Sequence, residues 1–280
     1  MKRISVFAFV LVMAVSPIPL FADEGMWTFD NPPRKQWKKR YNFEPSDAWL
    51  EHLRLASVRI EGSSGAFVSP NGLLMTNQHV ASGQLQKLST RERNYRQHGF
   101  YASTPSEELK CPDLEITVLV SYEDVTSRVQ GATKAGVSGK KANEARNAEI
   151  AKTEKESTDR TGLRSEVVAL YRGGEYWLYR YKKYTDIRLV FAPEEQIAFF
   201  GGDYDNFTYP RYCLDVTFFR VYENGQPLKP QNYLKWSAQG PADGEFVLAI
   251  GNPGSTNRLL TLAQVQYLSL IHISEPTRPY

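Results

Sequence analysis

Two side chains in this sequence, His79 and Asp215, combine the types and the order that could activate a nucleophile. His79 closes the run "GLLMTNQH", two residues beyond Thr76-Asn77. A neutral imidazole is the commonest acceptor for the proton of an attacking hydroxyl. It must present the correct nitrogen, and it becomes a cation as attack proceeds. A carboxylate bonded to the other nitrogen fixes the tautomer and balances that charge. Asp215 is the favoured partner, because it opens "DVTFFRV" and the chain then leads into "DGEFVLAIGNPG". Asp113 in "PDLEITVL" stays open as the alternative, and Asp124 in "YEDV" also lies nearer to His79 in sequence. His52, His98 and His272 are isolated and read as surface or packing residues. No His or Cys cluster has metal-ligand spacing.

The nucleophile is harder to find. Ser63 and Ser64, in "GSSG", precede His79 and belong to an opening strand rather than to a nucleophile loop. Ser237 and Ser255 lie beyond Asp215, and neither has the Gly-x-Ser-Gly setting that builds an oxyanion hole from backbone N–H groups. The chain as written therefore offers a base and its orienter without a nucleophile, and is expected to be catalytically inert.

The elements that must position these residues follow from local pattern. "PSDAWLEHLRLASVRI" starts as a helix capped by Ser46, with Trp49, Leu50 and Leu53 on one face. Residues 66–68 and 73–75 pair as a hairpin across Ser-Pro-Asn-Gly. "LEITVLVSY" is a further strand. Residues 129–160 are rich in Ala, Lys and Glu and predict a surface helix with an apolar stripe through Ala145, Ala148 and Ala151. "SEVVALYRGGEYWLYRYKKYTDIRLVFAP" returns to strands, with a hairpin turn at Gly173-Gly174. "LDVTFFRVY" and "GEFVLAIGNPG" are both strand-like. The fold class is mainly β with a helical insertion. The order His79, Asp215, "GNPG" matches a trypsin/chymotrypsin-like double β-barrel, in which the last strand begins the second barrel. On that template the fold is incomplete here, with most of the second barrel missing.

At "DEGMWTFDN", "TNQHV" and "GGDYDNFTYPRYCLDVTFFRVY" the chain resembles the bacterial periplasmic serine dipeptidyl-peptidases of the dipeptidyl-peptidase seven and eleven type. The resemblance covers about residues 23–267. It implies a double barrel interrupted by a large helical domain, with the catalytic serine far downstream of that domain. It puts the base on His79 and the triad carboxylate on Asp215. It also puts the ligand for a substrate's free α-amine on Asn206, with Phe207 beside it. An ammonium offers three donors and a charge, so an amide oxygen suits it. The implied reaction removes dipeptides from the free N-terminus of peptides through an acyl-enzyme, without a cofactor. A homodimer of the full-length protein is compatible with it. Two rivals remain, a trypsin-like periplasmic endopeptidase and a non-catalytic peptide-binding module.

The chain of 280 residues is 41% hydrophobic and 23% charged, which suits a globular core rather than disorder. Its formal charge of +3 gives no reason to expect nucleic acid as a partner. Lys2-Arg3, the apolar run over 4–21 and the small Ala22 read as a signal peptide over 1–22, hence a periplasmic or secreted protein with no membrane association after cleavage. Cys111 and Cys213 either pair in that compartment or remain thiols. Residues 23–267 are expected to form the N-terminal part of a peptidase catalytic domain. After Tyr267, "LSLIHISEPTRPY" resembles the translation of a transposase sequencing adapter, so residues 268–280 are expected to be an assembly artefact.

Overall fold

The computed structural model describes residues 25–133, 136–199, 212–252 and 260–268. The expected signal peptide and residues 269–280 lie outside them. The chain divides into two compact units, Met1–Glu44 and Pro45–Tyr280. In the first, helix α1 (Arg34–Tyr41) ends on Asn42 in the left-handed conformation, a position that Asn tolerates better than most residues. Trp37 and Phe43 pack across this turn with ring centroids 6.2 Å apart, and Lys38 pairs with Glu44 at 2.7 Å. Local pattern alone does not predict this helix after Pro32 and Pro33.

The second unit begins with α2 (Asp47–Ala56), where Ser46 Oγ accepts from the Trp49 N–H at 3.1 Å. This is the expected cap, and Leu50 and Leu53 are buried beneath it. Strands β1 (Ser57–Ile60), β2 (Ser63–Phe67) and β3 (Leu73–Thr76) follow, then α3 (Gln78–Leu88) and α4 (Tyr95–His98). Next come β4 (Phe100–Tyr101), β5 (Leu109–Lys110) and β6 (Ile116–Asp124), then α5 (Thr126–Gly131) and α6 (Gly139–Thr161). The remaining elements are β7 (Arg164–Leu170), β8 (Glu175–Tyr184), β9 (Asp186–Ala192), α7 (Glu195–Ala198), β10 (Thr217–Glu223), β11 (Gln226–Pro227) and α8 (Leu262–Leu268).

Among the described residues the strands form one antiparallel sheet in the order β4-β9-β10-β3-β2-β1-β6-β8-β7, with β5 added to β9 and β11 to β10. The expected hairpin is present, with Ala66 opposite Met75 and Phe67 opposite Leu74. So is the turn at Gly173-Gly174, with Leu170 opposite Glu175. The sheet does not lie flat. Strands β8 and β9 are separated only by Thr185, yet β8 pairs with β6 while β9 pairs with β10. One nearly continuous segment therefore joins two distant parts of the strand order, and Lys182 on β8 reaches Glu223 on β10 at 3.0 Å. The main core cluster holds Val58, Ile60, Phe67, Leu74, Leu85, Leu114, Ile116, Ile187, Leu189, Phe219 and Val221, all essentially inaccessible to water. Each such side chain contributes roughly 1.5–3 kcal/mol of burial.

Two buried polar devices brace this sheet. A bulge in β6 between Leu119 and Ser121 interrupts the ladder. The buried Arg54 guanidinium of α2 donates to the carbonyls of both Leu119 and Val120 there. Glu108, whose side chain is 2% exposed, accepts from Arg220 Nε and Tyr222 Oη, each at 2.8 Å. The Arg188 guanidinium lies over the Tyr222 ring at 3.7 Å. Burial, reinforced by the acceptor Glu108, raises the Tyr222 phenol above its usual range. These partners satisfy groups whose burial without hydrogen bonds would be costly.

Two sequence expectations are corrected here. The buried face of α6 does not run through the alanines. Ala145 is half-buried and Ala148 and Ala151 are exposed, whereas Ala142, Thr153 and Ser157 are buried and Ile150 packs on Val125, Val129, Tyr176 and Leu178. The reason is chemical. Alanine is helix-forming but too small to anchor a face, while Ser157 Oγ bonds Ser165 Oγ and receives Arg180 Nε, each at 2.8 Å. The second correction concerns "GEFVLAIGNPG". Residues 245–252 carry the alternation of a strand, with Phe246, Leu248 and Ile250 half-buried and Val247 64% exposed. No strand pairs with them among the described residues, so the pattern is present without the ladder.

Cys111 and Cys213 are not bridged, which leaves the thiol alternative. Burial pushes the Cys111 thiol up to about 12, so it stays neutral and unreactive. Among the described residues no helix is long and apolar enough to cross a membrane. The face of α6 has a direct check. Ala148→Lys and Ala151→Lys should leave the denaturant midpoint unchanged, within about 0.5 kcal/mol. Thr153→Lys should lower stability by roughly 2–4 kcal/mol at constant m value, because it drives a charge into the contact with β7 and β8.

Candidate active site

The register of β3 and β10 determines which carboxylate meets His79. Thr217 pairs with Thr76, Phe218 with Met75 and Phe219 with Leu74. Continued by two residues, this antiparallel register sets residue 215 opposite residue 78, between Asn77 and His79. A tight turn then aims the side chain. The Val216 N–H donates to the Leu214 carbonyl at 2.9 Å, leaving Asp215 at the apex, and the Leu214 N–H is anchored on the Ile197 carbonyl at 2.9 Å.

The Asp215 carboxylate takes three side-chain or backbone donors from the β3–α3 junction. His79 Nδ1 lies 2.7 Å from Oδ2, the His79 backbone N–H donates to Oδ1 at 3.1 Å, and Asn77 Nδ2 donates to Oδ2 at 3.3 Å. Asn77 Nδ2 also reaches the Asp215 backbone carbonyl at 3.1 Å. A carboxylate only accepts, so Nδ1 carries the imidazole proton and Nε2 is left as the acceptor. The Asp215 side chain is 24% exposed and the His79 side chain 65%. The ring is thus held along one edge and open to solvent over most of its surface.

The other sequence candidates fall elsewhere. Asp113 is exposed in a turn with φ of 57°. Asp124 accepts from the Thr126 N–H at 2.8 Å at the start of α5, and the Thr126 bonds lower its carboxyl below the usual range. Asn206, Phe207 and Ser255 lie outside the described residues. His52 Nδ1 meets Asn232 Oδ1 at 2.9 Å, a packing role, and His98 is exposed.

Ser64 has a structural partner. Its Oγ accepts from the Asn252 N–H at 2.6 Å, and Asn252 Nδ2 reaches the Val58 carbonyl at 3.5 Å. Thr76 Oγ1 donates to the Ser64 carbonyl at 2.8 Å, so "GSSG", the end of β3 and the "GN" of "GNPG" are tied together. Sequence reasoning missed this link and the part played by Asn77. Local sequence signals only that Asn77 stands before a helix, where Asn ordinarily caps, and not that its amide reaches Asp215.

The model of the family Peptidase S46 matches residues 22–277. The chain belongs to the Peptidase S46 family. It is 30% identical to a dipeptidyl-peptidase 7 of Phocaeicola vulgatus over 95% of this chain and 40% of that protein. It is 33% identical to an Asp/Glu-specific dipeptidyl-peptidase of Porphyromonas gingivalis over 87% of this chain and 37% of that protein. Among solved structures it is similar to Porphyromonas endodontalis DPP11 in complex with the dipeptide Arg-Glu, with a TM-score of 0.67, 29% identity, and coverage of 79% of this chain and 36% of that one. This Peptidase S46 chain therefore spans about two fifths of the length of the relatives it matches.

The Ser64–Asn252 contact in this S46 chain has a specific test. A Cβ added to Gly251 would lie 2.3 Å from Ser64 Oγ and 2.8 Å from Ser64 Cβ. Gly251→Ala should destabilise by about 1–3 kcal/mol. Ser64→Gly removes both obstructing atoms, so the double variant should recover at least about 0.5 kcal/mol relative to the sum of the single variants in a thermal or denaturant cycle.

Proposed function

We propose that this chain is the base-bearing part of a serine dipeptidyl-peptidase, which removes dipeptides from peptides with a free N-terminus. Family membership supports the reaction class, and the 2.7 Å contact between His79 Nδ1 and Asp215 Oδ2 is the observation that carries the role assignment. In this reading a serine from sequence beyond the present chain attacks the carbonyl of the second peptide residue. His79 Nε2 takes the hydroxyl proton as the oxygen–carbon bond forms. The imidazolium, balanced by Asp215, returns that proton to the leaving amine as the C–N bond breaks, which gives an acyl-enzyme. Water then repeats the sequence with His79 as base, freeing the dipeptide and the serine.

The curled sheet of the second unit corresponds, in this proposal, to the first of two barrels. The alternating segment 245–252 would be an early strand of the second. Asn206 would accept from the substrate's α-ammonium, with Phe207 beside it, and the export signal over 1–22 would place the reaction outside the cytoplasm.

In the full-length protein, Asp215→Asn should lower kcat by roughly 10⁴ with the fold intact, because the imidazole then adopts the wrong tautomer. Asp113→Asn should change it little, and the reverse pattern would transfer the orienting role to Asp113. Asn206→Ala should raise KM for free-amine peptides by an amount corresponding to about 1.5–3 kcal/mol. Equal cleavage of N-acetylated and free peptides would overturn the exopeptidase reading in favour of an endopeptidase.

A further inference from the structure

Asn77 stands at the N-cap of α3 with extended φ and ψ of −81° and 153°, but its side chain makes no capping bond. This departs from the usual preference, in which an Asn at this position accepts from the N–H two or three residues on. The N–H two residues on is that of His79, and it is taken by Asp215 Oδ1 at 3.1 Å. A carboxylate from a distant strand has assumed the cap, where the positive end of the helix dipole favours it. The Asn77 amide is released to act as a donor, and both of its bonds go to Asp215, at the backbone carbonyl and at Oδ2.

We infer that Asn77 is a positioning residue for the His79–Asp215 pair. By gripping Asp215 at its main chain and its carboxylate together, one amide group limits rotation of the carboxylate about its side-chain bonds. Oδ1 stays on the helix N–H and Oδ2 stays on the imidazole. The two oxygens are thereby assigned different tasks, and His79 Nδ1 meets an acceptor already in place. The amide donates to Asp215, and Asp215 in turn meets the imidazole, so its effect on the base passes through Asp215. The inference rests on the proposed reading of His79 as base and Asp215 as orienter, but the geometric claim can be read without turnover.

A plain helix cap and a carboxylate holder respond oppositely to one substitution. Asp caps a helix as well as Asn does, so Asn77→Asp is harmless if Asn77 serves only the helix. If Asn77 holds Asp215, that change removes the donor and sets a second carboxylate against Oδ2. The test uses the full-length protein labelled with ¹⁵N-histidine, as parent, Asn77→Ala, Asn77→Asp and Asp215→Asn, with His79 assigned by its own substitution. The parent should show His79 protonated on Nδ1. Both Asn77 variants should show mixed tautomers, a fall in kcat of about tenfold, equivalent to roughly 1.4 kcal/mol, and an unchanged KM and melting temperature. Retention of the Nδ1–H tautomer with kcat within about twofold of the parent, or damage by Asn77→Ala without damage by Asn77→Asp, would overturn the inference. Asp215→Asn separates the two levels. If it leaves turnover intact the proposed function fails, while the tautomer spectra still report on Asn77.

Discussion

The arrangement depends on a single carboxylate at the junction of a strand and a helix. Asp215 receives the His79 N–H in the first turn of α3, the imidazole of the same residue and the Asn77 amide that precedes them. All of these donors belong to Asn77 and His79, so the carboxylate and the segment 77–79 are mutually fixed. The helix needs an acceptor for its orphan N–H group, and the imidazole needs an acceptor to settle its tautomer. One side chain meets both needs, which makes the direction in which α3 leaves the sheet and the orientation of His79 the same structural fact.

What delivers Asp215 to that place is the pairing of β10 with β3, and this pairing is supported from outside the site. The opposite end of β10 is clamped by Glu108 through Arg220 and Tyr222, with Arg188 stacked on the latter. Strand β9 covers its other edge, and Phe219 and Val221 are fully buried on the core side. A one-residue slip of β10 would turn those apolar side chains outward and carry Asp215 away from His79 at once. The burial that holds the register therefore also holds the geometry of the His79–Asp215 pair.

Much of this was legible in the sequence where local chemistry decides structure. The Ser46 cap, the hairpins across 69–72 and 171–174, and the β10 strand were recoverable from capping and turn residues and from alternation. What escaped was decided by partners distant in sequence. The stripe of Ala145, Ala148 and Ala151 obeys helical spacing, yet the helix turns toward Thr153 and Ser157, because Arg180 and Ser165 wait on the strands below. The segment 245–252 has strand alternation, but a strand is defined by its neighbour, and none is described beside it. At the site, the types and order of His79 and Asp215 suggested a pair. The exchange of caps between Asn77 and Asp215 could not be read, since it requires knowing that residue 215 lies opposite residue 78.

The exposure of the pair has a consequence for what holds it. Ion pairs and hydrogen bonds between groups open to water contribute little to stability, typically about 1 kcal/mol or less. His79, at 65% side-chain exposure, is in that regime. The contact between His79 and Asp215 therefore does not hold the fold together, and the fold must hold the contact. Such a pair is free to serve chemistry, because changing the charge of the imidazole puts little of the scaffold's stability at stake. Its electrostatic strength then depends on how much water is kept from the ring. A covering surface that lowered the local dielectric would strengthen the attraction between imidazolium and carboxylate, and would do so only after the backbone register had already set their distance. Geometry is thus supplied by the sheet and the α3 terminus in this chain, while the strength of the interaction is left to whatever excludes solvent from His79.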